Sequence, residues 1–155
     1  MKSLLSSNDK DFLDERGRDE ILAANTYRYA ATCFLSKNLL GFVKFCREES
    51  ESELQHRTRL EKFANDMGDE LEMFSIPEVE FKDESPKGIL SHLYKMELAL
   101  LEQYEKGAEE ADRVSVKKLC LDMVEVQTEG VGTITDLLAE LESVGVGFVN
   151  QRLLS

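Results

Sequence analysis

Glu53 and His56 are the residues whose types and spacing most clearly permit metal chemistry. They stand three positions apart in a long helical pattern, and residues at i and i+3 lie on one face of a helix. A carboxylate and an imidazole on the same face can bind one metal ion together. The same spacing also occurs on solvent-exposed helix faces, so the weight of this pair depends on what other helices contribute.

Three further residues lie on the inward faces of other predicted helices. Glu20, Glu97 and Gln127 each stand near the middle of a different helical pattern, so a bundle would bring them to a similar depth. Tyr27 follows Glu20 by two turns and can donate a hydrogen bond to a ligand or be oxidised. Burying carboxylates is costly unless a metal or a paired charge compensates them. The set therefore predicts a metal site inside a helical bundle.

The donor atoms limit which metal such a site would bind. Hard oxygen ligands with one imidazole suit Fe(II) and Fe(III), and also Mn or Zn. Two metals that share Glu53 as a bridge would explain why this glutamate lies between the other two. The pattern is typical of a carboxylate-bridged two-iron site.

Most of the chain is predicted to be helical, because its inward residues recur at steps of three and four. Four patterns are long enough for bundle helices, and a short fifth pattern follows them. Ser85 and Pro86 form a favourable helix start, and Gly68 suits the residue after a helix end. The predicted helices of a single domain, residues 1–155, cover 8–37, 39–67, 86–111, 114–143 and 146–154.

Connection lengths predict how these helices are joined. The links after the first and third helices are very short and force antiparallel neighbours. The connection at 69–84 reaches about 50 Å when extended, whereas a helix of about 27 residues is about 40 Å long. We therefore predict an all-α, ferritin-like four-helix bundle with one long crossover between helices two and three. Apolar residues alternate in the crossover, which indicates either an extended segment that pairs with another subunit or a loop over the bundle's own surface; they are Phe74, Ile76, Val79 and Phe81.

Acidic residues outnumber basic ones by 31 to 19 and give the 155-residue chain a formal net charge of −12. This balance argues against nucleic acid and anionic membranes as partners, because both require basic patches. It fits either the attraction of cations or simple solubility, and composition does not separate these two. The three cysteines form no CxxC pair and are odd in number, which favours reduced thiols. No signal peptide or membrane-spanning run is visible. We therefore expect a cytoplasmic protein.

Nearly the whole chain resembles the ferritin family. The motifs that carry the resemblance are Glu20-x-x-Ala23-x-x-x-Tyr27, Glu53-x-x-His56 followed by Leu60, Glu97 after Tyr94-Lys95-Met96, and Gln127 between Val126 and Thr128. One Glu-x-x-His motif with a glutamine on the last helix is similar to ferritin, whereas bacterioferritin and rubrerythrin carry a second such motif. No haem is therefore expected. Residues 146–154 resemble a shortened form of the family's fifth helix.

The resemblance implies a cage of twenty-four identical subunits that oxidises Fe(II) with O2 or H2O2 and stores the ferric mineral inside. The implied iron ligands are Glu20, Glu53 and His56 for the first ion, and Glu53, Glu97 and Gln127 for the second. Tyr27 would be the tyrosine beside the two irons. The protein would thus be an enzyme, a ferroxidase, as well as a store.

Several positions depart from the family pattern. The glutamates of a third iron site in bacterial ferritins are replaced by Ser52, Val126 and Gly130, which leaves Glu129 as the one candidate ligand there. Lys117 and Cys120 stand where animal ferritins carry the acidic pair of a threefold channel.

Two alternatives remain open from the sequence. The missing glutamates favour a storage subunit that oxidises iron slowly. The short fifth helix favours a ferritin-like two-metal oxidase that acts on another substrate and forms no cage.

Overall fold

The computed structural model describes residues 2–155, and within this range the chain forms five α-helices and no strand. The helices are α1 (Ser7–Ser36), α2 (Leu40–Asp66), α3 (Pro86–Glu110), α4 (Val114–Val144) and α5 (Val146–Leu154). Every helix end lies within one residue of its predicted position. The predicted all-α class, a four-helix bundle with a short fifth helix, is confirmed. Within residues 2–155, every helix is too short or too polar to cross a bilayer.

Local sequence explains where the long helices start and turn. The Ser6 hydroxyl accepts a hydrogen bond from the backbone N–H of Asp9 at 3.1 Å and caps the start of α1. Ser85 caps α3 in the same way, and Pro86 occupies its first position, where a missing N–H costs nothing. The turn between α1 and α2 contains Asn38 at φ 59°, a left-handed conformation that asparagine tolerates better than most residues. These signals allow α1 and α2 to reverse direction within three residues.

The connection between α2 and α3, here called the crossover (residues 67–85), runs along the outside of α1. Near the start of α1, the backbone N–H of Glu72 donates to the Asp14 carboxylate at 3.0 Å. Near the end of α1, Phe81 stacks on Tyr29 with ring centroids 5.2 Å apart. The crossover therefore travels the length of the bundle, so α3 begins beside the end of α1 and runs parallel to α2.

The alternating apolar residues of the crossover have different environments. Phe81 is buried, Ile76 and Val79 are half-buried, and Phe74 is 36% exposed. Within the described residues this segment forms no strand. Phe81 and Val79 pack against the chain's own bundle. Pairing of the segment with another subunit stays a prediction.

The core consists of two apolar clusters at opposite ends of the bundle. One contains Phe34, Phe42 and Leu90 together with Val149 of α5. The other contains Leu13 and other buried residues of α1 to α4. α5 docks on this bundle because Val149 is fully buried. Between the two clusters lies a layer of buried polar side chains, which is the site described in the next subsection.

Asp9 is a buried charge that the sequence pattern did not predict. Asp9 is only 2% exposed. Its two carboxylate oxygens accept hydrogen bonds from the backbone N–H groups of Asp112 and Arg113, each at 2.9 Å. Acidic residues in the first turn of a helix usually face solvent and favour the helix dipole. Here the carboxylate also ties the start of α1 to the turn between α3 and α4.

Asp9→Ala should destabilise the fold, because it leaves two N–H groups of the α3–α4 turn without their acceptor. We expect a loss of about 1–3 kcal/mol in unfolding free energy and a lower midpoint of thermal unfolding. Asp11→Ala is the matched control, since Asp11 is an exposed acid in the same helix. Circular dichroism melts of both variants check this. Equal midpoints of thermal unfolding in the two variants would mean that the Asp9 hydrogen bonds contribute nothing to stability.

Candidate metal centre

Four helices each send one buried polar side chain into the layer between the apolar clusters. These residues are Glu20 of α1, Glu53 of α2, Glu97 of α3 and Gln127 of α4, and none is more than 2% exposed. Buried carboxylates are rare in protein interiors unless they are paired or bind a metal. The layer therefore requires compensation from protons, donors or cations.

His56 of α2 completes the first half of the site, beside Glu20 of α1 and Glu53 of α2. Its Nδ1 lies 3.2 Å from Glu53 Oε2 and 3.4 Å from Glu20 Oε2. One donor atom from each of these three residues falls within 4.8 Å of the others, so they can hold one metal ion together. Glu20 Oε2 is buried and has no hydrogen-bond partner among residues 2–155. An unpartnered carboxylate oxygen that faces an imidazole nitrogen is well placed to bind a cation.

Tyr104 of α3 is a member of the site that the sequence analysis did not identify. Its hydroxyl donates to Glu20 Oε1 at 2.7 Å, and the side chain is fully buried. Burial first, and then the Glu20 carboxylate, raise the pKa of Tyr104 well above its ordinary value, so the hydroxyl keeps its proton. The sequence offered one signal: Tyr104 follows Glu97 by seven residues, as Tyr27 follows Glu20.

The second half of the site is centred on Glu97. Tyr27 donates its hydroxyl to Glu97 Oε1 at 2.6 Å, and Gln127 donates Nε2–H to Glu97 Oε2 at 2.7 Å. Both carboxylate oxygens are thus hydrogen-bonded to side chains of other helices. Each hydrogen bond leaves one lone pair on its oxygen, so a cation that binds Glu97 shares the carboxylate with these donors.

Burial and mutual repulsion dominate the electrostatics of the layer. Burial, followed by the neighbouring carboxylates of Glu20 and Glu97, raises the pKa of Glu53 far above its ordinary value. Burial lowers the pKa of His56, but the Glu20 and Glu97 carboxylates outweigh burial, and the net pKa is raised. Glu53 lies between the two halves of the site, because the Glu20 carboxylate of the first half and the Glu97 carboxylate of the second both act on it. A divalent cation would replace the proton that the crowded carboxylates otherwise need.

Other candidate residues lie at the edge of the layer or outside it. Glu129 is exposed on α4, outside the buried cluster, and its part in metal binding stays a prediction. Gly130 lies beside the second half, where an added Cβ would be 3.3 Å from Glu97 Oε2. Cys120 is fully buried in the apolar cluster that contains Leu13. The sequence places Cys120 where animal ferritins carry a channel acid, and here its side chain packs among apolar residues of the subunit's own core.

The structure brings six of the seven residues singled out from the sequence into one connected group. They are Glu20, Tyr27, Glu53, His56, Glu97 and Gln127. Their inward placement follows from helical periodicity, which the sequence carries. Their roles in metal binding and oxidation stay predictions.

The fold is similar to that of several solved ferritin structures of archaeal origin. An open-pore ferritin from Archaeoglobus fulgidus has a TM-score of 0.91 and 22% identity, covering 96% of both chains. A closed form of that ferritin made by site-directed mutagenesis has a TM-score of 0.88 and 23% identity, again covering 96% of both. A humanized archaeal ferritin has a TM-score of 0.90 and 23% identity, covering 96% of this chain and 95% of the other. At these identities the likeness establishes the fold.

Sequence comparison extends the likeness from fold to family. A chloroplastic ferritin of Malus baccata var. xiaojinensis is 34% identical over an alignment 134 residues long, and the alignment covers 75% of this chain and 52% of that protein. The chain thus spans about half the length of this relative. The family pattern described as a ferritin-like domain matches residues 10–144. A match over most of the chain, on the same helices that carry the buried carboxylates, means that this protein belongs to the ferritin family.

Proposed function

We propose that this protein stores iron and oxidises Fe(II) to Fe(III) at a two-iron centre within each subunit. The observation that carries the proposal is the convergence of two buried carboxylates, from two helices, on one histidine, with the buried Glu97 carboxylate of a third helix acting on Glu53 from the other side. The proposed ligands are Glu20, Glu53 and His56 for the first iron, and Glu53, Glu97 and Gln127 for the second. Iron is here the substrate that passes through the centre to the store.

The proposed chemistry needs two Fe(II) ions close together. Each ion gives one electron, so a pair can reduce O2 to H2O2 or H2O2 to water in a single two-electron event. Glu53 suits a position between the two ions, because the carboxylates of Glu20 on one side and Glu97 on the other both raise its pKa. The buried carboxylates balance the charge of the ions, and the apolar clusters above and below keep bulk water from the layer.

We propose further that twenty-four copies assemble into a cage in which the ferric product accumulates. Several large apolar side chains are exposed on the single subunit, which supports burial against other copies. They include Met73 at 77%, Val114 at 79%, Phe148 at 63% and Leu54 at 43%. The cytoplasmic location stays a prediction.

One observation favours a second candidate, a storage subunit that oxidises iron slowly. Both oxygens of Glu97 already accept a hydrogen bond, from Tyr27 and from Gln127, so each has one lone pair left for the second iron and less freedom to turn toward it. Glu129 is exposed rather than gathered into the site. A subunit that fills only its first iron position would oxidise Fe(II) without a fast phase.

Substitution of the shared ligand or the histidine tests the centre directly. Glu53→Gln and His56→Ala should abolish the fast phase of Fe(II) oxidation, because the first replaces the shared carboxylate by a neutral amide that cannot bridge two ions and the second removes the imidazole, while the surrounding helices stay in place. Stopped-flow absorbance after mixing two Fe(II) per subunit with aerated buffer measures this phase. Glu51→Gln, an exposed glutamate on the same helix, should behave as the wild type. Rapid oxidation in both site variants would refute the proposed ligands.

Two glycines of α4 provide a matched test of the second iron position. Gly130→Ala places a Cβ 3.3 Å from Glu97 Oε2, whereas a Cβ at Gly132 meets nothing within 4 Å. Each change should favour the helix by about 1 kcal/mol. We expect Gly130→Ala to slow the fast phase severalfold, because Glu97 must shift to make room, and Gly132→Ala to leave it unchanged. Identical kinetics in the two variants would show that Glu97 is not confined there.

Assembly is tested by the mass of the purified protein in solution. Size-exclusion chromatography with multi-angle light scattering should give a particle of twenty-four chains, because the exposed apolar residues require burial. Phe148→Ser on α5 and Met73→Ser on the crossover remove two of these contacts and should shift mass toward smaller species. A stable monomer or dimer in the unmodified protein would exclude the cage.

A further inference from the structure

The two oxygens of Glu20 have different environments. Oε1 accepts a hydrogen bond from the Tyr104 hydroxyl at 2.7 Å. Oε2 is buried, has no hydrogen-bond partner among residues 2–155, and lies 3.4 Å from His56 Nδ1. The carboxylate therefore presents one satisfied oxygen to α3 and one unsatisfied oxygen to the metal-binding group.

We propose that Tyr104 is a positioning residue that makes Glu20 a one-oxygen ligand of the first cation. It holds Oε1 on the side of α3, so that Oε2 alone faces the space between Glu53 and His56. This inference rests on the proposed function, because it concerns how that same site binds its iron.

Packing prevents Tyr104 from releasing Oε1 cheaply. The side chain is fully buried, and Phe12 packs edge-on against its ring with centroids 6.5 Å apart. Leu100, Met123 and other residues of the same apolar cluster surround it. Turning Glu20 so that both oxygens face the cation would move Oε1 away from the Tyr104 hydroxyl, and a buried hydroxyl without an acceptor costs about 1–3 kcal/mol. One-oxygen binding avoids this loss.

The other terminal carboxylate is held differently, which makes the role of Tyr104 specific to the first cation. Glu97 has a donor on each oxygen, from Tyr27 and from Gln127. Each tyrosine follows a glutamate of its own helix by seven residues but bonds to the glutamate of the other helix. Donors to a ligand fix its orientation and are commonly worth about 10–100-fold in metal affinity. Of these two terminal carboxylates, Glu20 is the one whose donors leave an oxygen free.

Co(II) binding under anaerobic conditions tests the proposal, since the visible absorption of Co(II) reports the number and geometry of its ligands. In Tyr104→Phe, which removes only the hydroxyl, Glu20 is free to bind through both oxygens. We expect the bands of the first bound Co(II) to weaken and shift, and its dissociation constant to rise about tenfold. Tyr94→Phe, the same change at a half-buried position of α3, should alter neither. Unchanged bands and affinity in Tyr104→Phe would overturn the proposal.

A second comparison separates positioning from general packing. If Tyr104 acts through Glu20, then Tyr104→Phe weakens Co(II) binding in the wild-type background but adds nothing in a Glu20→Ala background. An equal loss in both backgrounds would overturn the proposal. A crystal of the unmodified protein loaded with Co(II) gives an answer that does not depend on any variant folding. Glu20 should bind through Oε2 alone, with Oε1 still bonded to Tyr104, and binding through both oxygens would contradict the inference.

Failure of the proposed function would look different from failure of this inference. If Glu53→Gln and His56→Ala leave Co(II) binding by the protein unchanged, the site does not bind cations, and both proposals fall. If those two variants lose Co(II) while Tyr104→Phe keeps the wild-type affinity and bands, the metal site stands and only the role of Tyr104 is refuted.

Discussion

The structure depends on how three carboxylates are accommodated in a dry interior. Glu20, Glu53 and Glu97 repel one another across a layer that is closed by apolar clusters on both sides. Most of their oxygens meet donors from facing helices: two tyrosine hydroxyls, one glutamine amide and one imidazole. The unpartnered oxygen on Glu20 and the raised pKa of Glu53 mark where that compensation is incomplete. Cations bound in this layer, as proposed, would stabilise the bundle, because they would neutralise the charge that the donors leave uncompensated.

Helix geometry explains why residues so distant in sequence meet at one depth. Glu97 lies thirteen residues before the end of α3, and Gln127 lies thirteen residues after the start of α4. With a rise of about 1.5 Å per residue, both are about 20 Å from their shared turn. The pair α1 and α2 achieves a similar match through its three-residue turn. The long crossover then places the helix pair α3 and α4 beside the pair α1 and α2. A change in the length of the crossover would therefore move Glu97 and Gln127 relative to Glu20 and Glu53.

Helical periodicity made most of this predictable from the sequence. It predicted the inward faces, and the residue types on them indicated Glu20, Glu53 and Glu97 as ligands. The Tyr104 bond was not predictable in the same way, because a hydroxyl's partner depends on which helix faces it across the core. The burial of Asp9 was missed for a related reason. The backbone N–H groups that donate to its carboxylate belong to a turn about one hundred residues later in the chain. Periodicity identifies the side of a helix that is buried, but not what it contacts there.

The two halves of the site share a plan but differ in one residue, and that difference bears on the proposed iron chemistry. His56 follows Glu53 by three positions and lies beside Glu20, whereas Gly130 follows Gln127 by three positions and lies beside Glu97. The first half thus offers an imidazole and an unpartnered carboxylate oxygen, and the second offers a neutral amide and a carboxylate already bonded twice. On the proposed assignment, a cation would be held more firmly by the first set than by the second. A centre that retains one ion and exchanges the other suits a protein whose product must move on to a store, because a pair of equally tight positions would keep the oxidised iron where it formed.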